Sequence, residues 1–261
     1  MRRLFLVPLV LLAVVLAITP AAATSVFTSN FETGSFASEG WSVVNGTQTN
    51  KWCCGTATNN GGTYGAYVSD NASCLTHNYN ISSASVSHFY RDVSFPAGQT
   101  SITLTFDWKG VGETSLYDYL SVWLVPTTTT PVAGTALTSG QIGINYYNQA
   151  TYTTATITIP CTAAGTTQRL VFSWKNDSSL GTQPPTGLDN IVLTTLTGTP
   201  LSGNYTIDNT QPTGGTNYAS FTAAITALNG NGSAVGGVTF NVVAGQTFIE
   251  NPPAIAPSSC S

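Results

Sequence analysis

The sequence predicts an all-β chain, an antiparallel jelly-roll sandwich followed by a short helix-plus-strand segment, on three observations. Apolar and polar residues alternate with period two from Val26 to Leu196. The alternating stretches are short and are separated by Gly, Pro and Asn clusters, the spacing of a sandwich or jelly roll. No helical period of useful length precedes residue 215. Composition agrees: Thr makes up roughly one residue in six, and with Val, Ile, Tyr and Trp it favours strands over helices.

Taken in order, the chain opens on Arg2 and Arg3, an apolar run from Leu4 to Ile18, and small residues Ala21, Ala22 and Ala23. That is the pattern of a cleaved export signal over residues 1–23, too short to cross a bilayer as a helix. The mature chain is expected to be secreted or held at the cell surface and to contain no transmembrane span. The clearest strand is Ile102–Trp108, with Ile102, Leu104, Phe106 and Trp108 on one face and Thr103, Thr105 and Asp107 on the other. Leu170–Trp174 repeats the scheme. Tyr119–Val125 is nearly all apolar and reads as a strand covered on both faces. Thr151–Ile159 alternates again, and Ile191–Leu196 closes a domain expected over residues 24–196. Residues 197–217 read as a linker because Gly, Pro and Thr dominate them. Tyr218, Phe221, Ile225 and Leu228 then fall at helical spacing, Asn229-Gly230 stops the helix, and a strand follows at Val238–Val243, with a second short one through Ile249.

Charge narrows the functions available. Charged residues are only 7% of the chain. Removing Arg2 and Arg3 with the leader leaves five of the seven Lys/Arg against eleven Asp/Glu, a net charge of −6. Such a surface lacks the basic patch that nucleic acid requires. The five Cys are Cys53, Cys54, Cys74, Cys161 and Cys260. Export permits disulfides. Neighbouring residues of an extended segment face opposite ways, so only one of Cys53 and Cys54 can readily meet Cys74. Either pairing is open, and Cys54–Cys74 is taken as the working assignment. The paired spacings and nearby His of a zinc site are absent.

Catalysis needs a nucleophile, base or metal in a plausible arrangement. The two histidines, His77 and His88, accompany neither a Ser-elbow nor a metalloprotease helix motif, and read as hydrogen-bonded or solvent-facing residues. Glu113 and Asp118 read as carboxylates solvating a turn. The chain is therefore expected not to be an enzyme. Of the aromatics, Trp108, Trp123 and Trp174 sit in strand patterns and read as core. Trp52, Tyr64, Tyr67, Tyr146 and Tyr147 lie near Gly-rich or Asn-rich turns and are the candidates for contact with a ligand such as a sugar ring.

Motifs spread along residues 25–196 carry a resemblance. They are Asn30-Phe-Glu32, Trp41, Trp52, Gly65-Ala-Tyr-Val-Ser-Asp70, Tyr90–Gly98, Phe106-Asp-Trp-Lys109, Asp118–Val122 and Gly187-Leu-Asp-Asn-Ile-Val-Leu193. In this order they resemble the MAM-like and cleaved-adhesin-like jelly rolls of secreted Bacteroidetes proteins. The Cys pattern departs from that of animal MAM domains, so those disulfides and dimer contacts do not carry over. In closed jelly rolls the first and last strands lie side by side, which would bring Glu32 near Asp189. Similar domains carry structural calcium around such positions, and Asp70 or Asp118 could add ligands, since Ca²⁺ takes six to eight hard oxygens. Residues 218–261 resemble the cap and first rung of a pectin-lyase-type right-handed β-helix. A solenoid needs about three or more rungs for stability, so this reading makes the sequence a fragment of a longer protein. The resemblance implies an extracellular recognition or adhesion module directed at a glycan or protein surface. A carbohydrate-binding module attached to a β-helical enzyme and a ligand-free structural spacer are the alternatives.

Overall fold

The computed structural model describes residues 22–113 and 117–255. The expected leader, apart from Ala22 and Ala23, and Cys260 lie outside the described residues. The chain divides into two compact units at Gly198/Thr199.

The first unit holds eleven strands: β1 (Ala22–Ser29), β2 (Ser42–Val44), β3 (Lys51–Gly55), β4 (Gly65–Ser69), β5 (Ser85–Ser94), β6 (Gln99–Gly110), β7 (Tyr119–Pro126), β8 (Gln141–Tyr146), β9 (Gln149–Thr158), β10 (Thr167–Asn176) and β11 (Gly187–Thr197). One sheet runs β3-β4-β11-β6-β9, with β1 also paired to β11. The other runs β2-β5-β10-β7-β8. Every pairing in the unit is antiparallel. This is the all-β jelly-roll sandwich that the alternation predicts.

The period-two pattern decides which side chains meet between the sheets. Ile102, Leu104, Phe106 and Trp108 of β6 enter the core, as do Leu170, Phe172 and Trp174 of β10. At the centre, the rings of Phe89 and Phe172 stack at 5.1 Å, and Phe106 meets Phe172 edge-on at 5.3 Å. Fully burying one such ring stabilises the fold by about 1.5–3 kcal/mol. β7 is covered on both sides, as its unbroken apolar run requires. Leu120 and Val122 face the core. Trp123 and Val125 form a second, smaller cluster with Val171 on the outer face of the sheet.

The second unit holds β12 (Leu201–Ile207), β13 (Asn217–Tyr218), α1 (Phe221–Asn231) and β14 (Ser233–Val242). Its sheet runs β13-β12-β14 and is parallel throughout. This revises the expected linker at 197–217, because β12 is the central strand of this sheet and buries Leu201 and Ile207. Its Ser, Gly and Asn residues are the exposed members of the strand. The helix begins later than its apolar spacing suggested. Ser220 accepts the Ala223 N–H at 3.0 Å as N-cap, and the Glu250 carboxylate takes the Phe221 and Thr222 N–H groups. Tyr218 lies in β13. The strand expected through Ile249 is absent, and Phe248 instead packs edge-on against Phe221 at 5.0 Å.

Candidate functional site

The arrangement of β1 and β11 creates the most polar assembly on the sandwich. β1 pairs with β11 so that Ser29 lies opposite Ile191, which carries Asn30, Phe31 and Glu32 past the end of the pair toward Asn190 and Asp189. Phe31 and Asn190 both adopt left-handed backbone, with φ of 58° and 48°, and turn the chain there. Asp107 of β6 lies directly across from Asp189. The exposed loop at residues 60–63 closes over these three carboxylates.

Each carboxylate holds the loop or its neighbours through hydrogen bonds. Glu32 Oε1 accepts from the Thr63 N–H at 2.9 Å and the Tyr64 N–H at 3.0 Å. Asp189 accepts from the Asn60 N–H at 2.6 Å and from the Asn190 N–H at 2.8 Å. Asp107 Oδ2 accepts from the carboxamides of Asn60 and Asn190, both at 2.9 Å, and Oδ1 from the Thr154 hydroxyl at 2.5 Å. Gly62 adopts left-handed backbone, with φ of 73°, which favours glycine, and a Cβ there would displace the Glu32 carboxylate. Burial pushes the Asp189 carboxyl above its usual range, and Glu32 and Asp107 add to this. Burial acts on Asp107 in the same direction, but its three side-chain donors outweigh it and hold that carboxyl low. Among the described residues the partners of these carboxylates are amides and a hydroxyl, with no cationic side chain. These donors occupy the carboxylate oxygens, and the three carboxylates do not bring their ligand atoms within 4.8 Å of one another as a cation site would need.

The other metal candidates separate from this group. Asp118 belongs to a second acidic cluster with Glu113 and Asp177, whose ligand atoms lie within 4.8 Å of one another. Asp118 does not solvate a turn: it is 1% exposed and accepts the Tyr79 hydroxyl at 2.5 Å and the Asp177 N–H at 3.2 Å. Burial raises its pKa. Asp70 stands exposed at the end of β4, its N–H bonded to the Asn78 carbonyl at 2.9 Å.

Three of the five aromatic ligand candidates are corrected by burial. Trp52 is 2% exposed, packs against Phe89 at 4.8 Å and donates its indole N–H to the Ser87 carbonyl. Tyr67 is fully buried and donates its hydroxyl to the Cys74 carbonyl. Tyr146 packs edge-on against Phe106 and Trp108 in the core. Trp52 and Tyr146 point into the core, whereas Tyr67 lies on the other face of β4, buried beside the Cys53–Cys74 bridge. Tyr64, beside the carboxylate-held loop, and Tyr147 remain partly exposed. The disulfide is also corrected, since it joins Cys53 to Cys74 and leaves Cys54 as a free thiol. Cys54 lies on the core side of β3, with its Sγ 3.8 Å from the Phe31 carbonyl oxygen, so Cys53 is the one that faces Cys74. Burial, then Glu39, Asp189 and Glu32, push the Cys54 thiol up to about 11, which keeps it protonated and unreactive. His88 is buried on the outer face of its sheet and His77 is partly buried. Burial lowers His77 to about 4 and lowers His88 as well.

Fold and site together define a closed jelly-roll sandwich with a surface loop anchored by carboxylates. No family model matches the chain, and no curated protein matches it. Similar solved structures include the CBM22-1 xylan-binding domain of Paenibacillus barcinonensis Xyn10C. It is 11% identical, covers 69% of this chain and 99% of its own, and superposes with a TM-score of 0.42. The K3 cleaved adhesin domain of Lys-gingipain from Porphyromonas gingivalis W83 is 17% identical over 66% of this chain and 99% of its own, with a TM-score of 0.43. A Stig cyclase from Fischerella sp. TAU is 17% identical over 67% of this chain and 98% of its own, also with a TM-score of 0.43.

Proposed function

We propose that this chain is an exported, non-catalytic recognition or adhesion module for an extracellular glycan or protein surface, with calcium as a structural cofactor. The observation that carries the reading is the loop at residues 60–64. It is exposed, rich in Asn, Gly and Thr, and tied at three points to carboxylates of the sandwich. A loop held in this way presents hydrogen-bonding groups without the ordering cost that weakens flexible binding loops. Tyr64 at its base supplies a partly exposed ring. Glu113, Asp118 and Asp177, whose ligand atoms lie within 4.8 Å of one another and which include the unpartnered buried Glu113 Oε2, would hold the calcium ion. His88 is bonded on both ring nitrogens, and Asp118 is bonded to Tyr79.

The second unit is proposed to be the cap and first rung of a β-helix. Its parallel sheet and the free outer edge of the ten-residue β14 support this, because a long unpaired edge is normally covered by a further strand.

A panel of polysaccharides and extracellular proteins, presented to the intact secreted chain with calcium or with chelator, tests the recognition reading. Saturable binding that weakens on substituting Tyr64→Ala is expected. Binding to no member of the panel, with the fold intact, would leave the spacer reading in its place.

A further inference from the structure

The outer face of the β2-β5-β10-β7-β8 sheet carries an arrangement that the recognition reading does not use. A sandwich sheet ordinarily turns polar residues outward. Here the outer face holds Trp123, Val125 and Val171, with Val171 fully buried and Trp123 8% exposed. The cover comes from residues 127–140, which connect β7 to β8. Leu137 packs onto this cluster. The segment contains no titratable side chain, and hydrogen bonds running in both directions anchor it to the sheet. Arg169 Nη1 donates to the Thr129 carbonyl at 2.9 Å, and the Gly134 N–H donates to the Val86 carbonyl at 2.8 Å. His88 Nε2 reaches the Val132 carbonyl at 3.2 Å and the Thr135 carbonyl at 3.1 Å, while its Nδ1 lies 2.7 Å from Ser173 Oγ.

These contacts fix the state of the ring. Two carbonyls at Nε2 require the proton there, so Nδ1 offers a lone pair and the Ser173 hydroxyl donates to it. The neutral imidazole satisfies every partner. A second proton would place a full charge on a residue that is 0% exposed and would deprive the Ser173 hydroxyl of its acceptor.

No nearby carboxylate compensates. The charged groups of β5 and β10 on this face are Asp92, Arg169 and Lys175. Both oxygens of Asp92 are taken by Arg169, at 2.7 and 3.0 Å. β7 contributes Tyr119, and β2, which pairs with β5 alongside His88, contributes no titratable residue.

We propose that residues 127–140 form a strap latched by neutral His88, and that acidification releases the strap and uncovers the Trp123–Val125–Val171 strip. The sign follows from linkage. Burial lowers the His88 pKa in the closed state. Closure is therefore fully favoured above the ordinary histidine value of about 6.5, and that preference fades as pH falls below it. The ratio of open to closed rises by up to about tenfold per pH unit in that window.

Acrylamide quenching of tryptophan fluorescence on the full secreted chain tests this between pH 7.5 and 5, with Trp123→Phe as the subtraction reference. The Trp123 component should become more quenchable as pH falls, while the far-UV circular dichroism holds constant. His88→Gln, which keeps an amide donor but cannot titrate, should abolish the change, and His77→Gln should retain it. Ser173→Ala, which removes the donor to Nδ1, should move the midpoint to higher pH. This variant also decides the matter if His88→Gln does not fold. A Trp123 signal that ignores pH, a response that survives in His88→Gln, an unmoved midpoint in Ser173→Ala, or loss of the sheet signal at the same pH would each overturn the proposal.

Discussion

Asp107 ties the surface loop to its neighbouring strands. Its two oxygens collect Asn60, Asn190 and Thr154, which come from three different segments. Asp107→Ala leaves those donors without an acceptor and should destabilise the first unit by about 1–3 kcal/mol, the usual consequence of losing hydrogen bonds to a charged group. Chemical denaturation measures it, and a variant as stable as the parent would show that the loop is held elsewhere. The cysteines give a cleaner test. Cys54→Ser should leave the cross-linked peptide intact in non-reducing mass mapping, whereas Cys53→Ser should abolish it. The bridge closes a separation of 21 residues, so its loss should destabilise by about 3 kcal/mol. Sequence made only part of this visible. Glu32 and Asp189 could be paired by resemblance, because the first and last strands of a closed jelly roll are neighbours. Asp107 stood in plain alternation on the outer face of β6, but nothing local says that β6 adjoins β11. Asp177 is likewise distant from Asp118 in sequence and meets it only after folding. The buried tyrosines were misread because a turn beside a residue says nothing about which face its side chain takes.

At the scale of elements, strands with strict alternation were legible and the irregular ones were not. β6 and β10 declare their inner faces in every second residue. β8 (Gln141–Tyr146) offers Gly143 and mixed exposure because it is an edge strand with only one partner. β12 was hidden for a different reason. It is short, its exposed positions are Ser, Gly and Asn, and a parallel central strand needs neighbours that lie more than ten residues downstream. Its position changes what a protease should find. Cleavage of the folded chain is expected at residues 197–200 or in the exposed turn at 209–216, because loops with few contacts are nicked first. Cuts within Leu201–Ile207 should appear only after the second unit has unfolded. Early products ending inside that strand, identified by mass, would show that β12 does not hold the parallel sheet together.

The whole molecule is short of charge, and six of its eleven carboxylates fall in two groups on the sandwich. Calcium should therefore act on the stability of the entire first unit. A ligand that binds only the native state adds about 2.7 kcal/mol at a hundredfold excess over Kd. For a domain of this size that corresponds to a rise of about 5–10 °C in Tm. Calorimetry with calcium and with chelator provides the comparison, and Asp177→Asn, in the group whose ligand atoms converge, should shrink the difference. Coincident melting curves would remove calcium from the account of this fold.

The pairing of β1 with β11 also sets how the sandwich responds to tension. In the mature chain Thr24 lies opposite Thr195, so the chain enters and leaves the domain at the same end of one strand pair. A load pulling on those two points does not drag the strands past each other, which would strain all their hydrogen bonds at once. It opens the pair like a zipper, one bond at a time from Thr24 toward Ser29. The sandwich should thus yield gradually, peeling off β1 before its core breaks. In single-molecule stretching between residues 24 and 198, release of Thr24–Ser29 should appear as an early lengthening of about 2 nm ahead of the main rupture. One abrupt, high-force event with no preceding step would mean that β1 is clamped by more than its partner strand. This geometry makes the domain a compliant spring in any linkage it anchors, and Glu32, just beyond Ser29, lies at the end of the pair that the load reaches last.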